Sequence, residues 1–395
     1  MKKVLVIGGG IIGQFTAYYL SKSGHDVTIV DDAPKMPPAS GGNCGLITPS
    51  HIVPINSWST IWKGLKWLGK ADAPFSIKPQ FDRNFISWFF SFAWHARNGS
   101  IANAIQIRHE LLQQSRILYE VFFEDEPNQS EWKTNGLLYA CHTEKGMSAI
   151  RHEVALLEKH HLESRTLTKD QLIELEPAIN EKSIGGAIFE TDGWIKPGQL
   201  LEDIQSINRK NGVTLVRSKV LDFEYSQGKI QKIHCEDGTH DADEYILCAG
   251  AMSQPLARKL GIRLALIPGK GYNLTTDTPI KNQPIRPVVM LEKMVVATPW
   301  ETGFRLGSTM EFSGFDLKLN EKRLNALKAA ATDYLAIDLS EATFTPWAGW
   351  RPMTSNGLPI IERSQAFSNL IIAAGHGLLG LSMAPATGKL VDGLV

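Results

Sequence analysis

The sequence has little that would hold a metal, cross a membrane or grip a nucleic acid. Its four cysteines, Cys44, Cys141, Cys235 and Cys248, form no C-x-x-C pair and follow no standard zinc spacing. That argues against a disulfide framework and gives no metal site, so reduced thiols in a cytoplasmic protein are expected. No stretch supplies the roughly 18 uninterrupted apolar residues of a membrane span. The nearest is FDRNFISWFFSFAW, Phe81 to Trp94, which is short and aromatic. It reads as a helix packed inside the protein, with a peripheral patch on the inner face of a membrane as the alternative. An excess of one charge is missing too. Lysine plus arginine and aspartate plus glutamate stand at 41 each, so no global field favours nucleic acid. Lys2 and Lys3 before an apolar run resemble a signal peptide, but glycines interrupt that run and no small-residue cleavage site follows.

What is present is concentrated at the start. In MKKVLVIGGGIIGQFTAYYLSKSGHDVTIVDD, the β-branched run Val4 to Ile7 reads as a strand buried on both faces. Gly8-Gly9-Gly10-Ile11-Ile12-Gly13 then supplies G-x-G-x-x-G before a helix running to about Ser23. Gly8 allows the tight turn, Gly10 lets backbone amides approach a pyrophosphate, and Gly13 lets the helix pack against the strand. A second strand, Asp26 to Val30, ends in Asp31 with Asp32 beside it, where a carboxylate reaches both hydroxyls of a ribose. An acid at that tip favours FAD or NAD over NADP. At 395 residues the chain is long enough for two domains.

Farther along, Ala39-Ser40-Gly41-Gly42-Asn43-Cys44-Gly45-Leu46 offers exposed backbone amides suited to an anion or a polar ring edge. A tryptophan-rich stretch, Ser57 to Arg97, reads as helical in pieces, and Ala102 to Glu124 as a helix. Short strands and amphipathic helices fill Gly136 to Asn211. Strands joined by glycine turns follow up to Ala249-Gly250, where a second apolar strand ends in small residues. Gly261 to Leu339 alternates as an antiparallel sheet with one covering helix, Glu321 to Leu335. The last stretch carries Gly349-Trp350-Arg351-Pro352, the strand Leu370 to Ala374, a Gly375-His376-Gly377-Leu378-Leu379-Gly380 loop and a closing helix. Strand, glycine loop and helix at both chain ends suggest closure around one ligand.

These blocks, together with Pro268-Gly269-Lys270-Gly271-Tyr272, resemble the D-amino-acid dehydrogenases of the glycine oxidase and D-amino-acid oxidase family of flavoproteins. The resemblance runs from Lys2 to about Asp392. It implies an α/β fold: a Rossmann-like FAD-binding domain of the glutathione-reductase and hydroxybenzoate-hydroxylase type, with an antiparallel-sheet substrate domain. The flavin domain would comprise 1–60, 195–258 and 346–395, and the substrate domain 61–194 and 259–345. The resemblance implies that Gly8, Gly10, Ile11, Ile12 and Gly13 hold the pyrophosphate and that Asp31 and Asp32 face the adenosine ribose. Ser40, Asn43, Cys44, Gly45 and Leu46 would lie along the flavin, Val220 by the adenine, and Ala249 and Gly250 behind the diphosphate. Gly375, His376, Gly377, Leu378, Leu379, Gly380, Leu381 and Ser382 would meet the pyrimidine edge. Relatives commonly carry Ala at Cys44 and Asp at Asn356. The cysteine raises the question of a thioether link, though FAD is expected to be non-covalent.

The reaction implied is hydride removal from the α-carbon of a D-amino acid to flavin N5, with the imine then hydrolysed. Arg351 suits carboxylate capture through its rigid fork. Tyr272 is a second candidate for that carboxylate, and His51, in Pro49-Ser50-His51, for the pocket wall. That short match also points to D-proline or its hydroxylated forms. Electrons would pass to a quinone or another carrier. A peroxide-forming glycine or sarcosine oxidase, or a flavin subunit of a larger complex, is the alternative.

Overall fold

The computed structural model describes residues 1–32, 38–54, 75–77 and 82–395. Residues 33–37 and most of the tryptophan-rich stretch lie outside the described residues.

A six-stranded sheet runs in the order Ile360–Arg363, Leu370–Ala374, Glu244–Leu247, Lys3–Ile7, Asp26–Asp31, Thr214–Arg217. All neighbours are parallel except the antiparallel pair Ile360–Arg363 and Leu370–Ala374. Val4, Leu5, Val6, Ile7, Ile246, Leu247, Ile371 and Ile372 are buried, as strands covered on both faces require. From Lys3–Ile7 the chain continues to one side with Asp26–Asp31, while Glu244–Leu247 arrives on the other. The carboxyl end of the first strand is therefore a topological switch point, the place where open α/β sheets bind ligands. The helix Ile11–Lys22 packs there, and the closing helix Gly380–Leu394 packs against it.

The second large sheet follows the order Thr345–Thr354, Leu266–Thr276, Gly303–Phe312, Val295–Trp300, Val288–Met290, Leu137–Cys141, Gly185–Phe189, Ser164–Thr168. It is antiparallel but for two parallel pairings, Val288–Met290 with Leu137–Cys141 and Phe75–Ile77 with Gly303–Phe312. Helix Glu321–Tyr334 covers one face, burying Leu324, Leu327, Ala330, Ala331 and Tyr334 against Leu274, Phe304 and Leu306. The strand Thr345–Thr354 corrects one boundary: residues 346–354, assigned above to the flavin segments, pair along Leu266–Thr276 in this second sheet.

The aromatic helix is Arg83–His95, and only one side of it is packed. Trp88 and Phe92 are buried, whereas Phe90 is 70% and Trp94 63% exposed. The expectation of interior packing holds for half of the helix, because a period of 3.6 residues cannot bury every aromatic of FISWFFSFAW on one side.

Candidate active site

At the switch point the glycines are dictated by contact. A Cβ on Gly13 would sit 1.9 Å from the Gly8 carbonyl oxygen, and one on Gly8, at φ +109°, 2.6 Å from the Cys248 oxygen. The turn is thereby pressed between the first strand, its helix and the strand tip leading to Ala249 and Gly250. Asp31 lies across it: Gly9 N donates to its Oδ1 at 2.7 Å, and Arg217 Nη1 lies 3.0 Å from Oδ2. Burial raises the Asp31 carboxyl, while Gly9 N–H and Arg217 pull it back. Arg217 was not anticipated; it reaches Asp31 only through the register of the neighbouring strand. The carboxylate keeps lone pairs beyond these two bonds for a diol. Ser40 Oγ accepts the Ile11 N–H at 2.9 Å, leaving its own proton to donate to an anion at the helix start.

The segment after Ser40 is tied into one unit. Asn43 Nδ2 donates to Ser40 O at 2.7 Å, and its Oδ1 accepts from Gly45 N at 2.7 Å. Gly45, at φ +73°, has the Ile195 carbonyl oxygen 2.1 Å from where a Cβ would be. The second sheet grips the same segment from three positions. Asn273 Nδ2 donates to Gly42 O at 2.5 Å, Thr298 Oγ1 to Cys44 O at 2.9 Å, and Arg305 Nη1 to Gly41 O at 3.1 Å and to Asn43 O. None of these partners was visible in the sequence, where more than 220 residues separate them from the loop.

Alternation along the strands decides which residues face this loop. Gly269, Gly271 and Asn273 share one face of Leu266–Thr276, and their cross-strand partners are Arg351, Gly349 and Trp347. This face, floored by glycine, carries Arg351 toward the Cys44 loop. Arg351 Nη1 donates to Thr309 O at 2.8 Å, and among the described residues no carboxylate lies within ion-pair distance. Burial pushes the guanidinium down, with the Cys44 side chain the opposing influence. Burial in turn raises the Cys44 thiol, against the pull of Arg351 and Arg305.

Tyr272 is a correction. It pairs with Ala348 and so points to the opposite face, into the core beneath helix Glu321–Tyr334. There its hydroxyl donates to Glu311 Oε2 at 2.8 Å, and Arg323 pairs with the same carboxylate at 3.1 Å. A single step in strand register separates it from the Arg351 face. His51 has its Nε2 2.7 Å from the Tyr139 hydroxyl, and its carbonyl accepts from Arg108 Nη2 at 2.5 Å. Burial and Arg108 push the imidazole down to about 4, so it is neutral at pH 7. Its ring is committed to Tyr139 on the far half of the second sheet.

The C-terminal loop joins these parts. Met353 bridges to His376, and Gly377 N donates to Pro352 O at 3.0 Å, which fixes the loop beside Arg351. Thr48 N donates to Ser382 Oγ at 3.0 Å, and Tyr119 Oη to Leu381 O at 2.7 Å. The His376 ring itself is buried on Thr387 Oγ1, 2.9 Å away, and is pushed down to about 3. Its backbone builds the loop. Leu379 and Leu381 are buried and Leu378 half exposed, while Gly380 opens the closing helix. Val220 begins a separate three-stranded sheet and pairs with Cys235.

A switch point with a glycine turn and a strand-tip acid has the form of a dinucleotide-binding site. Comparisons make the class specific. The family model for FAD dependent oxidoreductases of the DAO type matches residues 3–394. The chain belongs to that family, and its cofactor is FAD. It is 30% identical to D-amino acid dehydrogenase 1 of Mesorhizobium japonicum, covering 98% of this chain and 94% of the relative. It is also 30% identical to the D-amino acid dehydrogenase of Vibrio vulnificus, over 100% and 95% of the two chains. The fold matches glycine oxidase from Bacillus cereus with a TM-score of 0.78 at 20% identity, covering 100% of this chain and 94% of that one.

The residues fit FAD. The close-packed Gly8–Gly13 turn and the Ser40 hydroxyl beside Ile11 N–H would hold a pyrophosphate, and Asp31 retains acceptor capacity that would suit a ribose. Among the described residues no helix is long and apolar enough to cross a membrane.

Proposed function

We propose that the protein catalyses oxidative deamination of a D-amino acid, and that a cyclic substrate such as D-proline or a hydroxy-D-proline is preferred. Bound FAD supplies the two-electron acceptor for the hydride of the α-carbon, and the imine product is hydrolysed in water. The observation that carries the reading is Arg351: a desolvated guanidinium, without a carboxylate partner among the described residues, on the face turned to the Cys44 loop. A buried arginine in that condition is stabilised by an anionic ligand, and a substrate carboxylate matches its fork.

Arg351 orients the substrate and fixes which side of the α-carbon faces the loop. Deprotonation of the amine needs no strong base, and the neutral His51 and His376 rings are engaged with Tyr139 and Thr387. Glycines 269, 271 and 349 leave room for the side chains of Met310, Arg351 and Trp347, which lie directly over them. The electrons then leave for a quinone or another carrier.

A screen of D-amino acids with an artificial electron acceptor, run beside a peroxide assay, tests this reading. D-proline or cis-4-hydroxy-D-proline is expected to turn over fastest, with little peroxide formed. Faster turnover of D-alanine or D-methionine would remove the cyclic preference. Activity on glycine or sarcosine with stoichiometric peroxide would replace the dehydrogenase reading by an oxidase.

A further inference from the structure

The hairpin formed by Lys229–Cys235 and Gly238–His240 gathers three groups that the redox chemistry does not use. We propose that Cys235, Asp237 and His240 form a binding site for a thiophilic divalent cation of the Zn2+ class.

The site is a product of register. Cys235 pairs with Gly238 and Ile233 with His240, so Cys235 and His240 share a face of the hairpin, and Asp237 stands in the turn between them. Ligand atoms from the three side chains lie within 4.8 Å of one another. His240 Nε2 is 3.1 Å from Asp237 Oδ2 and 3.3 Å from Oδ1. In a tetrahedral site with bonds of about 2.0–2.3 Å, ligand atoms stand roughly 3.3–3.8 Å apart. Small side-chain rotations close that gap, because Asp237 and His240 are 42% and 24% exposed.

The turn that holds the three is fixed independently of any ion. Asp237 N donates to Ser218 Oγ at 3.1 Å, and Glu236 N to Lys219 O at 3.1 Å. Thiolate, imidazole and carboxylate together favour Zn2+ over Mg2+ or Ca2+, which take oxygen ligands. Three protein ligands leave a coordination position for water. The sequence conceals the site because C-x-D-x-x-H matches no standard zinc spacing; the hairpin closes it.

The test uses FAD-loaded protein stripped with a chelator, desalted, and titrated with Zn2+ against a chromophoric zinc indicator. Wild type is expected to take one Zn2+ per chain. His240→Gln, on the hairpin surface, and Cys235→Ser should each weaken uptake about 10-fold or more while flavin absorbance is unchanged, and excess Mg2+ should not compete. Absence of uptake by wild type, or an unaltered affinity in His240→Gln, would overturn the proposal. In the latter case the Asp237–His240 contact is only an ion pair in a turn.

Discussion

The guanidinium of Arg351 rests on Gly271. A Cβ at Gly271 would come within 2.2 Å of Nη1 and 2.4 Å of Cζ and Nη2. The glycine therefore sets where the guanidinium lies, and the clash falls on the end of a flexible side chain rather than on backbone.

Gly271→Ala should then leave the fold and FAD content intact while displacing the fork. Misplacement of about 1 Å costs on the order of 100-fold in rate, so kcat/KM should fall by roughly one to two orders of magnitude. Arg351→Ala should cost about 2–5 kcal/mol of transition-state binding, and Arg351→Lys should recover little because the fork is lost. Steady-state kinetics on flavin-normalised protein checks all three. Wild-type kcat/KM in Arg351→Ala with its flavin retained would sink the assignment.

Arg305 bears on cofactor retention. Its Nη1 donates to the carbonyls of Gly41 and Asn43 and its Nε to Thr275 Oγ1 at 2.8 Å, while burial pushes the guanidinium down to about 10. Arg305→Ala leaves those carbonyls without their donor, at about 1–3 kcal/mol. FAD affinity should drop by roughly 10-fold or more, with turnover per bound flavin little changed. Equilibrium dialysis beside kinetics separates the two effects, and a variant that keeps FAD but loses turnover would place Arg305 with the substrate instead.

How much of this was legible in the sequence follows from the range of each interaction. The Gly8–Gly13 turn and Asp31 are set by neighbours within one strand–helix–strand unit, and local spacing displays them. The covering helix read as Glu321 to Leu335 is Glu321–Tyr334. Tyr272 failed because its sheet face depends on a register that no local pattern states. Arg217, Arg305 and Asn273 were missed for a related reason: Arg217 meets Asp31 only when a strand far along the chain pairs in register, and Arg305 and Asn273 meet the Gly41–Asn43 loop only once the second sheet is in place. Motif resemblance located Arg351; only the sheet shows what lies beneath it.

The helix Arg83–His95 offers a stability contrast. Trp88 stacks on Phe92 at 4.9 Å and donates Nε1–H to Met353 O at 2.9 Å, whereas Trp94 lies outside under Arg97, 4.1 Å from its ring centroid. Trp88→Ala should destabilise by about 3–5 kcal/mol, and Trp94→Ala by no more than about 0.5 kcal/mol. Denaturant unfolding of the two variants at fixed FAD concentration measures both. Equal losses would mean that the outer face is covered in solution.

The pH dependence of stability should contain two opposed contributions. His376 has its folded pKa lowered from 6.5 to about 3 by burial. Below pH 6.5 the unfolded chain therefore binds the proton that the folded ring refuses, and stability falls as pH falls. At about 1.4 kcal/mol per unit, the loss is roughly 2 kcal/mol by pH 5. His51, pushed down to about 4, adds a loss of the same sign. Asp192 acts oppositely. It is buried, accepts both Ser50 N and Ser50 Oγ, and is raised from 3.8 to about 7. Between those values the folded state holds the proton, so stability rises as pH falls and offsets part of the histidine loss. His376→Gln, which can still reach Thr387, should flatten the decline in Tm between pH 6.5 and 5. Asp192→Asn should steepen it while raising Tm near pH 8, where the wild-type carboxylate is ionised in a buried site. Thermal scans of FAD-loaded protein at several pH values read both slopes. Parallel curves for wild type and His376→Gln would show that this ring does not govern the acid limb.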